Sequence, residues 1–364
     1  MDRYYAVIVG GGPAGLSCAI ALQKKGISNC VVEKSHYPRE KLCGGLVTEK
    51  TYRVLADLCD GDVSFFREAF IDESNTVSIW DKNCLRCEVN VNHKLRFVNR
   101  AAFDSRLMDY YLSLGGIVYV GEKVVDYDPI AKTVYTEQGE YSCQMLIAAD
   151  GARSVLRKEA GITLKSIGFC LETSIPRERR SLDHGVQIHF GFLKNGYAWV
   201  FPCGDHYKIG FGNKYDQTFD YLTAFRSFLS AIGIDPREVI IKGAFVPYGR
   251  CLQQHTADDR VVFVGDAAGM VDPIYGEGLY FALRSGLFLT SDSSRAEREQ
   301  DLRQIKSGTK LRNVFFHPFI QRQFLQRIPA HNPLVSYYIE NQVSLYRYPH
   351  GQSWKIFRDY AREK

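Results

Sequence analysis

Gly10, Gly12 and Gly15 stand at Gly-x-Gly-x-x-Gly spacing directly behind the apolar run 4–9, and a carboxylate, Glu33, ends the next apolar run. Residues of these types at these intervals can hold a dinucleotide. The first glycine permits a tight turn, the second lets a pyrophosphate approach the backbone, and the third packs a helix on a strand. Ala14 lies in the same loop, and Pro13 suits the first turn of the helix that follows. Glu33 would accept hydrogen bonds from ribose hydroxyls and repel a 2′-phosphate, so the unit reads as a site for FAD or NAD rather than NADP. Lys34, beside it, and Val124 are further candidate cofactor contacts. For these residues to act together, 4–9 must be a strand, Leu16, Ala19 and Ile20 must line one face of a helix stopped by Gly26, and 29–32 must be a second strand.

A second carboxylate chooses between the two dinucleotides. A short apolar strand over 260–264 runs into Gly265-Asp266-Ala267-Ala268-Gly269, which sets Asp266 at the C-terminal edge of a parallel sheet, where ligands sit. There it can grip a ribityl chain, which NAD lacks, or cap a helix. Pro273, Gly276 and Gly278 follow, ahead of a helical pattern through Leu279, Ala282 and Leu283. A helix start among glycines offers backbone N–H groups to the anion that forms when a flavin is reduced. The Cys43 thiol would be a proton donor or a small packing group. Arg39 and Lys41 would hold phosphates or lie in solvent, and Tyr197, Trp199 and Phe201 would line a pocket or fill a core.

Three motifs in this order, Gly10 to Gly15 with Glu33, Ala149-Asp150-Gly151-Ala152-Arg153-Ser154, and Val264-Gly265-Asp266-Ala267-Ala268, resemble the flavoprotein monooxygenase superfamily represented by p-hydroxybenzoate hydroxylase. Within it the chain is similar to the geranylgeranyl reductase branch. Lys41-Leu42-Cys43-Gly44-Gly45 resembles that branch's Cys-Gly-Gly segment beside the flavin. Arg100-Ala-Ala-Phe103-Asp104-Ser-Arg-Leu107 resembles its helix whose arginine lies near the cofactor. Tyr197-Ala-Trp199-Val-Phe201-Pro202 resembles its substrate-domain motif, and Pro273 with Gly276-Glu277-Gly278 resembles its loop over the isoalloxazine ring. The likeness covers residues 1–290 and adds little in the tail.

The resemblance implies an α/β fold. A Rossmann-like FAD-binding domain of the p-hydroxybenzoate hydroxylase type is expected over 1–60, 98–160 and 255–290. An inserted antiparallel β-sheet substrate domain is expected over 61–97 and 161–254, with a helical C-terminal region over 291–364. Period-two alternation in Val186, Ile188, Phe190 and Phe192, and again in Tyr207, Ile209 and Phe211, gives the inserted sheet its strands. The polar run 291–301 reads as a connection.

Composition narrows the class. With 364 residues, 45% hydrophobic and 24% charged, the chain suits an ordinary globular enzyme. It offers no membrane-spanning run and no signal peptide, so a cytoplasmic location is expected. Its ten cysteines lack framework spacing and are expected as free thiols; Cys84 and Cys87 read as a chance pair on a strand. His184, His189 and His206 read as ordinary sheet or loop residues, and no metal site is expected. From residue 301 onward, eleven Lys or Arg face four Asp or Glu among eleven aromatic residues. A helical subdomain with a packed aromatic face is the first reading of this tail, peripheral contact with an anionic membrane the second, and nucleic acid is set aside.

What the resemblance implies is an FAD-dependent reductase that saturates carbon–carbon double bonds of an isoprenoid or polyene lipid. Hydride would come from flavin N5, and the proton from Cys43, Tyr197 or water. No second glycine fingerprint is present, so electrons would come from a transiently docking NAD(P)H or a ferredoxin-like donor. A monooxygenase hydroxylating an aromatic or polyene substrate is the alternative, and a membrane-associated flavin-binding protein without activity is the third class. The halogenase branch is disfavoured, because Tyr-Ala-Trp-Val-Phe-Pro replaces its Trp-x-Trp-x-Ile-Pro string.

Overall fold

The computed structural model describes residues 2–164, 166–179, 181–247, 261–288, 294–347 and 350–363. The segment 255–260, with Arg260 of the expected strand, and the start of the polar connection, 291–293, lie outside the described residues.

The chain begins with β1 (Asp2–Val9), α1 (Pro13–Lys24) and β2 (Asn29–Glu33). Both strands are buried through their apolar halves, as befits parallel strands covered on two faces, and Gly26, at φ +67°, ends the helix in a left-handed conformation. There follow β3 (Leu46–Val47), α2 (Glu49–Leu58), β4 (Phe70–Asp81), β5 (Cys84–Val98), α3 (Arg100–Ser113), β6 (Ile117–Val120), β7 (Val124–Asp128), β8 (Thr133–Thr136), β9 (Glu140–Ala148) and α4 (Val155–Glu159). Next come β10 (Ile167–Pro176), β11 (Val186–Phe190), β12 (Gly196–Cys203), β13 (His206–Lys214), α5 (Tyr221–Ala231), β14 (Lys242–Pro247), β15 (Val261–Phe263) and α6 (Leu279–Leu287). Four helices, α7 (Ser294–Phe315), α8 (Pro318–Arg327), α9 (Pro333–Tyr338) and α10 (Trp354–Glu363), complete the described tail.

Among the described residues, seven strands form the first sheet, in which β6, β2, β1, β9 and β15 run parallel and the β7–β8 hairpin joins the first half of β9. Parallel alignment brings the C-terminal ends of β1, β2, β9 and β15 to one edge, so Gly10, Glu33, Ala149 and Gly265 meet there although they are distant in sequence.

The second sheet has the order β14-β10-β13-β12-β11-β4-β5-β3. As expected, it is an antiparallel sheet, with one parallel pairing where β11 runs beside β4 and Val186 lies beside Val77. The β4–β5 hairpin and the β11–β12 hairpin are joined through the first sheet, so no tight turn dictates their relative direction. Leu46 and Val47 also join this sheet, from within the segment assigned to the cofactor.

The alternation seen in the sequence divides the second sheet into two functional faces. Leu171, Ile175, Ala198, Val200, Tyr207, Ile209 and Phe211 pack under Phe225, Phe228 and Leu229 of α5. The alternate residues, among them Tyr197, Trp199, Phe201, Gly210, Gly212, Cys170 and Glu172, share the opposite face by strand register.

The polar run expected to be a connection is helical from Ser294 onward, as the head of α7. Its Ala, Glu, Arg and Gln are good helix formers. Ile305 is fully buried, and Asp301, itself buried, pairs with Arg284 at 2.6 Å. Cys84 and Cys87 remain separate thiols on β5, one exposed and one buried. His189 is buried between the Lys82 carbonyl (2.8 Å) and Gln187 (3.1 Å), and burial pushes its ring down to about 4. His184 and His206 lie beside Glu88 (3.0 Å) and Asp205 (2.6 Å). Among the described residues no helix is long and apolar enough to cross a membrane.

Candidate active site

Contacts join the three sequence motifs into one cradle. Gly10 sits at φ +107°, and a Cβ there would lie 2.4 Å from the Ala149 carbonyl oxygen, so the fingerprint loop lies directly against Ala149-Asp150-Gly151. A side chain at Gly15 would strike the Gly10 carbonyl at 1.9 Å. Gly265 touches the other flank, with its Cβ position 2.6 Å from that of Ala14.

The first turn of α1 has no side-chain cap and no acidic residue, leaving its amides and the positive end of the helix dipole open to an anion. Arg39 lies beside it, with Nη2 3.3 Å from the Gly12 Cβ position. Its guanidinium stands over the Tyr37 ring and pairs with Asp104 at 3.3 Å. Its buried Nε has no hydrogen-bond partner. Glu33 is buried and accepts hydrogen bonds from the amides of Gly11 (2.7 Å) and Ser35 (2.8 Å), which ties the loop to β2 and leaves further lone pairs. Lys34 is exposed, and Val124 lies buried at the start of β7.

On the far side, Asp150 Oδ2 accepts the amides of Val155 (2.7 Å) and Leu156 (3.3 Å) at the head of α4, while its buried Oδ1 is unpartnered. Gly151 follows at φ +80°. Asp266 lies 3.8 Å from Lys41, and its Oδ1 is 3.3 Å from the position a Gly278 side chain would take. An open helix start, an orphaned guanidinium nitrogen and an orphaned carboxylate oxygen, in a cradle shaped by residues with no side chain, fit FAD. The pyrophosphate would be held at α1 and Arg39, a ribose at Glu33, and the ribityl chain at Asp266. Asp266→Ala is therefore expected to purify without most of its yellow cofactor, as read by visible flavin absorbance per protein; full retention would refute the ribityl assignment.

A second cluster lies where the two sheets meet. Arg100, at the head of α3, is buried and bidentate to Asp104 (3.0 to 3.2 Å). Burial alone would lower its pKa, but Asp104 and the adjacent Cys43 hold it raised. Gly45 donates its amide to Cys43 Sγ at 3.4 Å and adopts φ +77°. A side chain at Gly44 would collide with Phe201 at 2.8 Å and approach Trp199 Nε1 at 3.3 Å, and that indole nitrogen is a buried donor without a partner. Tyr197, Trp199 and Phe201 thus form an aromatic wall against the Cys43-Gly44-Gly45 turn. Tyr197 donates its hydroxyl to the Tyr275 carbonyl, and its ring stacks on Phe316 at 6.4 Å and 6°.

One residue of this cluster escaped the reading of the sequence. Glu172 is 3% exposed, and strand register sets it in a row with Gly210 and Trp199. Gly210 presents no side chain between them; a Cβ there would lie 2.4 Å from the indole. Burial pushes the Glu172 carboxyl up to about 7, against the opposing pull of Lys208, the Cys43 main chain and Arg100.

The tail also reaches the site. Asp272, just ahead of Pro273, is buried and accepts from His350 Nε2 (2.7 Å), the Tyr346 hydroxyl (3.2 Å) and the amides of Ile274 and Tyr275. Burial would raise this carboxyl, but His350 and the loop amides outweigh it and hold it low. Glu277, between Gly276 and Gly278, pairs with buried Lys50 at 2.6 Å and accepts from Thr48 and Thr51. Lys50 in turn donates to the Val343 carbonyl at 2.8 Å. Arg312 donates to the Pro273 carbonyl at 2.8 Å, so the loop carrying Pro273, Gly276 and Gly278 is clamped from both sides.

Residues 3–171 match the family model described as an FAD binding domain. An uncharacterised protein of Methanosarcina barkeri is 27% identical over 344 residues, covering 93% of this chain and 83% of that one. A digeranylgeranylglycerophospholipid reductase of Methanocaldococcus jannaschii is 25% identical over 326 residues, covering 82% and 79%. The crystal structure of a geranylgeranyl bacteriochlorophyll reductase-like protein from Thermoplasma acidophilum superposes with a TM-score of 0.73 at 18% identity, covering 99% of both chains. With this cradle and an FAD binding domain, the chain is an FAD-dependent oxidoreductase, similar in sequence to the reductase named above and in fold to the geranylgeranyl bacteriochlorophyll reductase-like structure.

Proposed function

We propose that this enzyme saturates carbon–carbon double bonds of an isoprenoid or polyene lipid. The observation that carries the reading is the aromatic wall of Tyr197, Trp199 and Phe201, extended by Phe316 and set against the Cys43-Gly44-Gly45 turn. Such a wall offers dispersion and apolar burial to a flexible hydrocarbon chain, and orienting that chain is most of what the protein must contribute. The relative named as a digeranylgeranylglycerophospholipid reductase supports the same substrate class.

Bound FAD supplies the hydride chemistry. Hydride alone adds poorly to an isolated alkene, so the second carbon needs a proton at nearly the same moment. Glu172 is the chain's best-suited source. It is buried on the same sheet face as Trp199, and its carboxyl, raised to about 7, still carries a proton near neutral pH. The Tyr197 hydroxyl is committed to the Tyr275 carbonyl, and Cys43 receives the Gly45 amide and lies beside Arg100, so both serve better as wall and support.

The decisive experiment is anaerobic. Enzyme loaded with FAD and reduced by dithionite, which bypasses the NAD(P)H or ferredoxin-like donor, is expected to be reoxidised by polyprenyl lipids, with gain of two hydrogens per bond by mass spectrometry. Reoxidation by oxygen with an aromatic acid, and by no prenyl lipid, would establish the monooxygenase reading instead.

A further inference from the structure

The C-terminal tail was expected to bury its aromatic residues, and it does so only in part. Phe316 is 1% exposed and Tyr346 7%, but Phe319 is 65%, Ile320 44%, Phe324 49% and Val314 54% exposed. Isolated exposed apolar residues are ordinary, whereas a set of them on one turn and one helix calls for a partner. Helix α8 is apolar on two sides. Leu325, on its inner side, is buried in the apolar cluster that also holds Phe201 and Phe316, while Phe319, Ile320 and Phe324 face outward.

Charge indicates what covers that outer side. Between residues 302 and 339 the sequence has no Asp or Glu and six Lys or Arg. Arg312 is turned inward to the Pro273 and Asn195 carbonyls, but Lys306, Lys310, Arg322 and Arg327 are exposed. On α7, Lys306, Lys310 and Val314 follow at intervals of four and so share a face that leads to the corner before Phe319. A protein partner of ordinary composition needs no such exclusion of acids. An anionic bilayer does, because bulky apolar groups enter its headgroup boundary while Lys and Arg remain at its charged surface.

We propose that the α7–α8 corner docks this enzyme on an anionic lipid bilayer through Phe319, Ile320, Phe324 and Val314, with Lys306, Lys310, Arg322 and Arg327 as the charged rim. The position gives the docking a purpose. Phe316, two residues from Val314, stacks on Tyr197 of the aromatic wall, so the corner that meets the bilayer also borders the proposed substrate site. A lipid chain would pass from membrane to wall without crossing water. This last step rests on the reading of the substrate as a prenyl lipid; the docking itself does not.

The test is co-sedimentation of the full-length FAD-loaded enzyme with vesicles of phosphatidylcholine alone or with about a third phosphatidylglycerol. Binding is expected only to the anionic vesicles, reduced at least tenfold by 0.5 M salt, as expected of charge attraction at a membrane surface, and reduced similarly by F319S/F324S. A K306Q/K310Q variant, which leaves apolar packing intact, should show the loss even if F319S/F324S misfolds. Each variant is checked for flavin content and for anaerobic reoxidation by a prenyl substrate dispersed without membranes, both expected at the wild-type level. Failure of wild type to sediment with anionic vesicles overturns the docking, as does equal binding to both vesicle types. Retention of a single-stranded RNA without vesicle binding would assign the patch to nucleic acid instead. A wild type that binds vesicles yet reduces no prenyl lipid would overturn the substrate reading alone.

Discussion

Glu172→Gln is expected to lower the rate of double-bond saturation by about a hundred- to ten-thousand-fold, the span that a positioned general acid contributes. Glutamine keeps the shape and the buried amide-sized polarity of the protonated acid but has no proton to give. Flavin content should be unchanged, since the cradle at Gly10, Asp150 and Asp266 is untouched. The pH profile separates a chemical role from a structural one. In the wild type the saturation rate should fall as pH rises through about 7, where the Glu172 carboxyl loses its proton. The small residual rate of the glutamine variant should lack that limb. Stability carries the same signature with a defined sign. The folded-state pKa is raised from 4.5 to about 7, so between these values the native state binds more protons than the unfolded chain, and stability falls as pH rises. The loss approaches about 3 kcal/mol above pH 7, because each tenfold change in proton affinity is worth about 1.4 kcal/mol. The glutamine variant should show no such decline, and thermal unfolding from pH 5 to 8 reads the difference. A glutamine variant with wild-type turnover and an unchanged alkaline limb would remove Glu172 from the mechanism.

The second large effect is expected at the clamp on the Pro273 loop. His350→Ala strips the buried Asp272 carboxylate of its 2.7 Å partner, leaving the Tyr346 hydroxyl and two loop amides. Removing one member of a buried pair typically costs about 3–5 kcal/mol, because the remaining charge stays desolvated. For a chain of this length that corresponds to a melting point lower by about 5 °C. Because the same loop carries Gly276 and Gly278 toward the Asp266 side chain, flavin should also dissociate faster, as read by recovery of free-flavin fluorescence after dilution. The Asp272 carboxyl is held low, so its contribution is complete at neutral pH and is lost only as pH falls through and below the ordinary carboxylate range. The His350→Ala penalty should therefore shrink in acid and persist at pH 7 to 8. A variant as stable as wild type at neutral pH would show that the tail does not brace the loop.

The dinucleotide unit was legible because its information is local. A tight turn at Gly10, a close approach at Gly12, a packing contact at Gly15, a helix opened by Pro13 and an acid at the end of β2 are each requirements of one short segment, and no distant residue alters them. The split of the second sheet into a face under α5 and a face toward the site was likewise carried by period-two spacing in 207–211. The polar run before the tail is ambiguous in sequence because its Ala, Glu, Arg and Gln suit an exposed helix as well as a loop, and the burial of Asp301 against Arg284 of α6 and of Ile305 exists only in the folded chain.

By itself the sequence determined the cofactor and the order of the motifs that bind it, since glycine spacing and terminal acids follow from the chemistry of a pyrophosphate and its sugars. Only the tertiary structure decided which carboxyl is desolvated on the aromatic face and which described apolar side chains stay exposed. Glu172 is one carboxylate among forty-one acidic residues until strand register carries it beside Trp199 and the Cys43 turn, where desolvation raises its pKa. Phe316 and Phe319 are the same residue type three positions apart, and the helix corner between them alone sends one into the core and the other outward. Desolvation and exposure are properties of the surroundings, and here those surroundings are assembled from strands and helices far apart in the chain.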